Sequence, residues 1–331
     1  MTTFGQRLRA LATERGFSLR RLASQVPCSP AHLSRMASGQ RPVPADVAAR
    51  LDELLGAGGE LVMLATVAAP NVASAGDLDR VRHAVARPRR LDTTGLDALR
   101  TILAGQRRLE DVVGPGPILT AVRAQTTAAE HLAREARGDV QAEALGVAGE
   151  WAQFSGWLHA ATSSNYAAAR HYEHAGRIAA EAGHVDLLAT VRSMRGLLAF
   201  QASGRDAGEQ VVAWSRRARE VEGTGASVRV QAIQQEARGH AMLGNAADAL
   251  RLLADAEAAM EAKAGDPDWL YFYDVPLLTL QRGHAHLLLG RWETAAELLA
   301  DGLGAVDGEI RRSEWLTWYA ADLAEALAQL G

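Results

Sequence analysis

The sequence predicts an all-α protein, a small helix-turn-helix bundle at the amino end followed by an α-helical repeat solenoid. Three observations carry this. Alanine and leucine dominate almost the whole chain, which favours helix. Apolar residues recur at three- and four-residue spacing, while period-two runs of β-branched residues are scarce. Turn signals at Asn165-Tyr166, Gly204, Gly244 and Gly290 recur about every 40 to 46 residues, the period of stacked helical pairs.

Five short helices fit residues 3–66. The first runs from Phe4 to Arg15, with Phe4, Leu8, Leu11 and Ala12 on one stripe, and Gly16 stops it. Ser18 caps the second, which turns Leu19, Leu22, Ala23 and Val26 inward. Pro27 and Cys28 break the chain. Ser29 caps the third helix, and Pro30 takes its first position, where a missing N–H costs nothing. Leu33 and Met36 face inward. A fourth helix spans Ala45–Leu55, and a short apolar helix follows at Leu61–Thr66.

Residues 67–92 read as a linker carrying a basic helix, Arg80–Arg90, with five arginines. From 93 to 331 the pattern is helical throughout, with helices at 93–112 and 117–137 and helical pairs from about residue 140.

Hydrophobic residues make up 48% of the 331 and charged residues 22%, the balance of a cored globular chain. No apolar run approaches the roughly 18 residues of a membrane span. A single cysteine, Cys28, excludes an internal disulfide, and a cytoplasmic setting is expected. The net charge of −4 is unevenly spread. Residues 1–42 hold seven arginines against one acid, Glu14, a balance of +6 that leaves −10 for the rest. A basic head on an acidic body implies a negatively charged partner for the head.

Within that head, the second and third helices are joined by a tight turn and must cross steeply, with Ala23 as the small residue at the crossing. The polar side of the third helix is then free to face a major groove. The segment resembles the Cro/lambda-repressor-like (XRE family) helix-turn-helix regulators over about residues 4–60. The likeness lies in the Phe4–Gly16 helix, the Ser18-Leu19-x-x-Leu22-Ala23 opening, the Ser29-x-x-x-Leu33-Ser34-Arg35-Met36 recognition helix and the Ser38-Gly39-Gln40-Arg41 exit. Leu19 stands where that family has a phosphate-contacting glutamine, and Pro27 where its turn holds glycine. The resemblance implies double-stranded DNA as partner, with Ser29, Ala31, His32 and Arg35 toward base edges and Arg20, Ser34, Ser38, Gln40 and Arg41 toward phosphates.

The last helical pairs resemble tetratricopeptide repeats. One reads Gly283-x-x-His286-x-x-x-Gly290-x-Trp292-x-x-Ala295-x-x-x-Leu299-x-x-Gly302, and an earlier copy has Trp151, Tyr166, Ala168, Tyr172 and Ala175. Small residues sit where two helices touch, and no pair buries its face alone. The resemblance implies a groove lined by the first helix of each pair. Gln201, Gln231, Gln234, Arg238 and His284 would line it, and Trp269 and Tyr273 would close one end. A peptide, small-molecule or protein ligand suits such a groove.

His171 and His174 share a helix face, but no cysteine or glutamate completes a metal pattern, so neither metal nor cofactor is expected. There is no phosphate-binding loop motif and no nucleophile elbow, and no enzyme is expected. The resulting expectation is a homodimeric DNA-binding transcriptional regulator whose repeat domain senses a ligand or mediates dimerisation. The alternative is a repeat-type interaction scaffold with a vestigial head. Head-then-repeat order resembles the peptide-sensing regulators of Gram-positive bacteria and repeat-bearing regulators of actinobacteria.

Overall fold

The computed structural model describes residues 4–26, 28–38, 43–67, 91–202, 204, 206–261, 267–306 and 315–331. Those residues form sixteen α-helices, one 3₁₀ turn and no strand, so the fold is all-α. They divide into two compact units, within Met1–Val72 and within Ala73–Gly331.

The first unit holds α1 (Phe4–Glu14), α2 (Leu19–Ala23), α3 (Pro30–Ala37), α4 (Ala45–Leu55) and α5 (Glu60–Val67). Gly16, at φ +69°, ends α1 in the left-handed turn that lacks a Cβ penalty. The Ser18 hydroxyl then caps α2 by accepting from the Arg21 N–H at 3.2 Å. Leu8, Leu22, Leu33, Leu51, Leu55 and Leu61 are fully buried in a shared core, and Ala23 is buried with them. At Gly5, α1 meets the end of α3 so closely that a Cβ would stand 1.7 Å from the Ala37 carbonyl oxygen. Asp52 anchors α5 from within α4. Its carboxylate, 8% exposed, accepts from the backbone N–H groups of Gly59 at 2.7 Å and Leu61 at 2.8 Å. Arg7 and Glu60 pair at 2.8 Å and tie α1 to α5.

The second unit is a stack of helical pairs. It holds α6 (Thr93–Val113), α7 (Pro115–Glu135), α8 (Val140–Ala161), α9 (Asn165–Glu181), α10 (Val185–Ala202), α11 (Ala207–Arg219), α12 (Ala226–Met242) and α13 (Ala246–Glu261). The 3₁₀ turn Asp268–Leu270 follows, then α14 (Val275–Leu288), α15 (Trp292–Ala305) and α16 (Leu316–Leu330). Every helix packs on its neighbour in sequence. Helices α6, α8, α10, α12, α14 and α16 also touch the next member of their own row, which makes them an inner layer. Inner helices are therefore covered on both sides. On α8, Glu150, Gln153 and Ser155 are buried along with Trp151, and α12 buries Gln234, Gln235, Glu236 and Arg238. Gly204, Gly244 and Gly290 fall between paired helices as expected, but Asn165 and Tyr166 open α9, and the turn before it is 162–164. Trp151, Ala168, Tyr172 and Ala175 are core residues, but Tyr166 is 78% exposed on the first turn of α9, on the face turned from the stack. The linker and the Arg80–Arg90 basic helix lie outside the described residues.

The segment before α14 straps the inner layer. Asp268 takes Arg107 and Arg108 of α6, each at 3.3 Å, and Arg107 also pairs with Glu150 of α8 at 3.4 Å. The Trp269 indole N–H donates to Thr190 of α10 at 3.1 Å, and the Tyr271 hydroxyl donates to Asp111 of α6. Pairs 160 residues apart in sequence thus hold this strap.

Two predictions follow from packing. Gly5→Ala gains alanine's helix preference of about 1 kcal/mol but drives a methyl into backbone, so the first unit should lose about 1–2 kcal/mol in chemical unfolding. An unchanged midpoint would show that α1 and α3 do not meet there.

The second concerns the α8–α9 contact, where the His159 and His171 rings stack at 5.0 Å between centroids. Burial, then His159 and Arg123, push His171 down to about 4, and burial lowers His159 too. The unfolded chain takes up these protons near pH 6.5 and the folded chain does not, so stability present above pH 6.5 is lost as pH falls toward 4. Thermal midpoints across that window should decline, and His171→Gln should flatten the decline; parallel curves would contradict this.

Candidate nucleic-acid interface and ligand cavity

Helix α3 divides cleanly. Leu33, Met36 and Ala37 are buried against the first unit's core, while Ser29, Ser34 and Ser38 are exposed and Arg35 is half-buried. The Ser38 hydroxyl donates to the Arg35 carbonyl at 3.0 Å, closing the helix end. On α2, Arg20 and Arg21 are exposed, and the Arg21 guanidinium lies 5.1 Å over the Phe17 ring. The side chains of Ala31 and His32 lie outside the described residues, as do Gln40, Arg41 and the turn residue Pro27. What remains is a ridge of hydroxyls with a guanidinium, flanked by cations on the preceding helix. That set of groups suits hydrogen bonds to base edges and forked contacts to phosphate.

The second unit holds a partly open cavity of about 300 Å³ between its inner helices and the strap. Each inner helix contributes one stripe at helical spacing. Helix α6 gives Arg107, Glu110 and Asp111, and α8 gives Gln153, Phe154 and Trp157. Helix α10 gives Ser193, Leu197 and Phe200, and α12 gives Gln231, Gln234, Gln235 and Arg238. Helix α14 gives Gln281 and His284, and α16 gives Trp318, Tyr319 and Asp322. Trp269, Tyr271 and Tyr273 come from the strap.

The wall is held internally at several points. Tyr273 donates its hydroxyl hydrogen to Gln281 at 2.9 Å, and His284 Nδ1 meets Asp322 at 2.7 Å. Burial lowers the His284 pKa, an effect Asp322 opposes. Other polar atoms are buried without a partner among the described residues. They are Oε1 of Gln153, Gln231 and Gln235, the Ser193 hydroxyl, both amide atoms of Gln234, Arg238 Nε and His284 Nε2. An orphaned buried group costs about 1–3 kcal/mol, and together these suit a ligand bearing its own donors and acceptors.

Of the groove residues expected from sequence, Gln231, Gln234, Arg238, Trp269, Tyr273 and His284 line the cavity. Gln201 does not. It follows Phe200, which does, and one residue is a rotation of about 100° on a helix. The stripes on α6, α8, α10 and α16 were missed. On α8 and α16 the signal was the spacing of Gln153 to Trp157 and of Trp315 to Asp322, polar and aromatic residues together at helical spacing.

Among curated proteins, none matches this chain. Among solved structures, it is similar to PlcR of Bacillus thuringiensis, solved in complex with the peptide PapR7 and DNA. That likeness is 12% identical over 100% of both chains, with a TM-score of 0.35. Residues 3–64 match the family model described as a helix-turn-helix domain. With α2 and α3 packed on each other and the hydroxyls of Ser34 and Ser38 exposed, the amino-terminal unit is a helix-turn-helix domain.

Proposed function

We propose that this chain is a sequence-specific DNA-binding transcriptional regulator. The observation that carries the proposal is the helix-turn-helix domain with an outward polar ridge on α3, in a stretch of the chain with a surplus of six positive charges. Ser29, Ala31, His32 and Arg35 would read base edges, while Arg20, Ser34, Ser38, Gln40 and Arg41 would hold phosphates. Such a domain acts on palindromic sites as a dimer, with half-sites about 34 Å or a multiple apart. In this reading the repeat unit senses a peptide or small molecule in the cavity, or joins two chains. Sensing needs a ligand that prefers one arrangement of the paired heads by a few kcal/mol.

Selection of bound fragments from a random duplex pool at about 50 mM salt tests the reading. A recurring palindrome is expected. Raising salt to about 200 mM should cost a factor of about 10³ for six phosphate contacts. Arg35→Ala should cost about 1–3 kcal/mol and relax the choice at one base pair. If no duplex is retained at low salt, the regulator reading falls and the scaffold alternative stands.

A further inference from the structure

Arg238 is the outlying charge of the cavity. It is 5% exposed and makes no ion pair among the described residues. Its immediate support is neutral: the guanidinium lies 4.9 Å over the Phe200 ring, with the Tyr319 side chain beside it in the same wall. Nε has no partner. The other charges in the wall are engaged. Arg107 has Glu150 and Asp268, Asp111 holds the Tyr271 hydroxyl, Asp322 holds His284, and Glu110 has a contact of its own.

The Asp322 carboxylate in the same wall is taken up by His284, and a buried guanidinium with no carboxylate at pairing distance is costly, since its fork is shaped for one. One turn away on α12, Gln234 is 0% exposed with neither amide atom bonded, and Gln231 and Ser193 each leave an oxygen unserved. An amide side chain offers a donor beside an acceptor, the match for an amide in a ligand. Phe200 and Trp269 make much of the remaining wall apolar. At about 300 Å³ the space is at the small end of ligand sites.

We propose that the cavity binds a small apolar carboxylic acid carrying an amide, with the carboxylate forked on Arg238, the amide on Gln234 and the apolar body among the aromatic rings. This rests on reading the cavity as a ligand site and specifies what it takes. Acylated amino acids and the carboxyl ends of short apolar peptides share this chemistry.

The test uses the full chain, with N-acetyl-phenylalanine and acetyl-Leu-Leu-Phe as probes, each as free acid and as carboxamide. Tryptophan fluorescence reads binding, because Trp157 and Trp269 line the cavity. At least one free acid is expected to bind at millimolar concentration and raise the thermal midpoint by several degrees at saturation. Its carboxamide should bind at least about ten-fold more weakly. Which probe binds separates the two sources. Arg238→Met should lose the acid to a similar degree, yet unfold at higher temperature than the parent without probe, because it removes an unpaired buried charge.

Failure of every probe, equal binding of acid and carboxamide, or an Arg238→Met protein that binds the acid like the parent would overturn the proposal. Should Arg238→Met not fold, the acid–carboxamide comparison on the parent decides alone. Duplex retention is measured on the same preparation. Carboxylate binding lost with duplex binding kept sinks this inference only, and the reverse result sinks only the regulator reading.

Discussion

Close approach of helix backbones at small residues is the constraint on which both units rest. Helices shorter than about 12–15 residues are marginal in water, and α2 has five residues and α3 eight. They persist because packing supplies what their own hydrogen bonds do not. Gly5 lets α1 lie directly on the Ala37 carbonyl. Deep in the repeat unit, Gly239 plays the same part, where a Cβ would stand 2.9 Å from the Val212 backbone nitrogen. Each contact sets a crossing, and the crossings set which side chains are turned outward.

In the first unit this leaves Ser29, Ser34 and Ser38 exposed while Leu33 and Met36 are fixed in the core. In the second, stacking of one inner helix on the next leaves α8, α10 and α12 little exposed surface. Polar residues there have nowhere to go but inside. Glu236 is served by Arg216 at 3.1 Å and Arg219 at 2.7 Å, and Glu150 by Arg107. Gln234 and Arg238 are not served in this way. A fold that keeps such groups at its centre, when leucine or methionine would pack more cheaply, departs from local consistency where departures mark function.

The helix-turn-helix unit was legible because its stops and starts are local chemistry: Gly16 in a left-handed turn, the Ser18 hydroxyl over α2 and a leucine stripe on each helix. The repeat turns were legible for the same reason, through Gly204, Gly244 and Gly290 at a steady period. The Asp52 anchor of α5 was not, since a carboxylate reaching over a glycine loop leaves no spacing to find. The strap was half legible. Its aromatic cluster stood out, but its purchase on Arg107, Arg108 and Asp111 joins residues 160 apart, and no pattern within a helix announces such a pair. Tyr166 and Gln201 were misplaced by a single turn or a single residue, the error expected when face is judged from spacing alone.

The proposed contact of α3 with DNA is open to hydrogen exchange of the full chain, with and without a selected duplex. Exchange is expected to slow across residues 29–38, with the cores of α1 and α4 unchanged. Unaltered exchange in 29–38 beside slowing elsewhere in the first unit would contradict it.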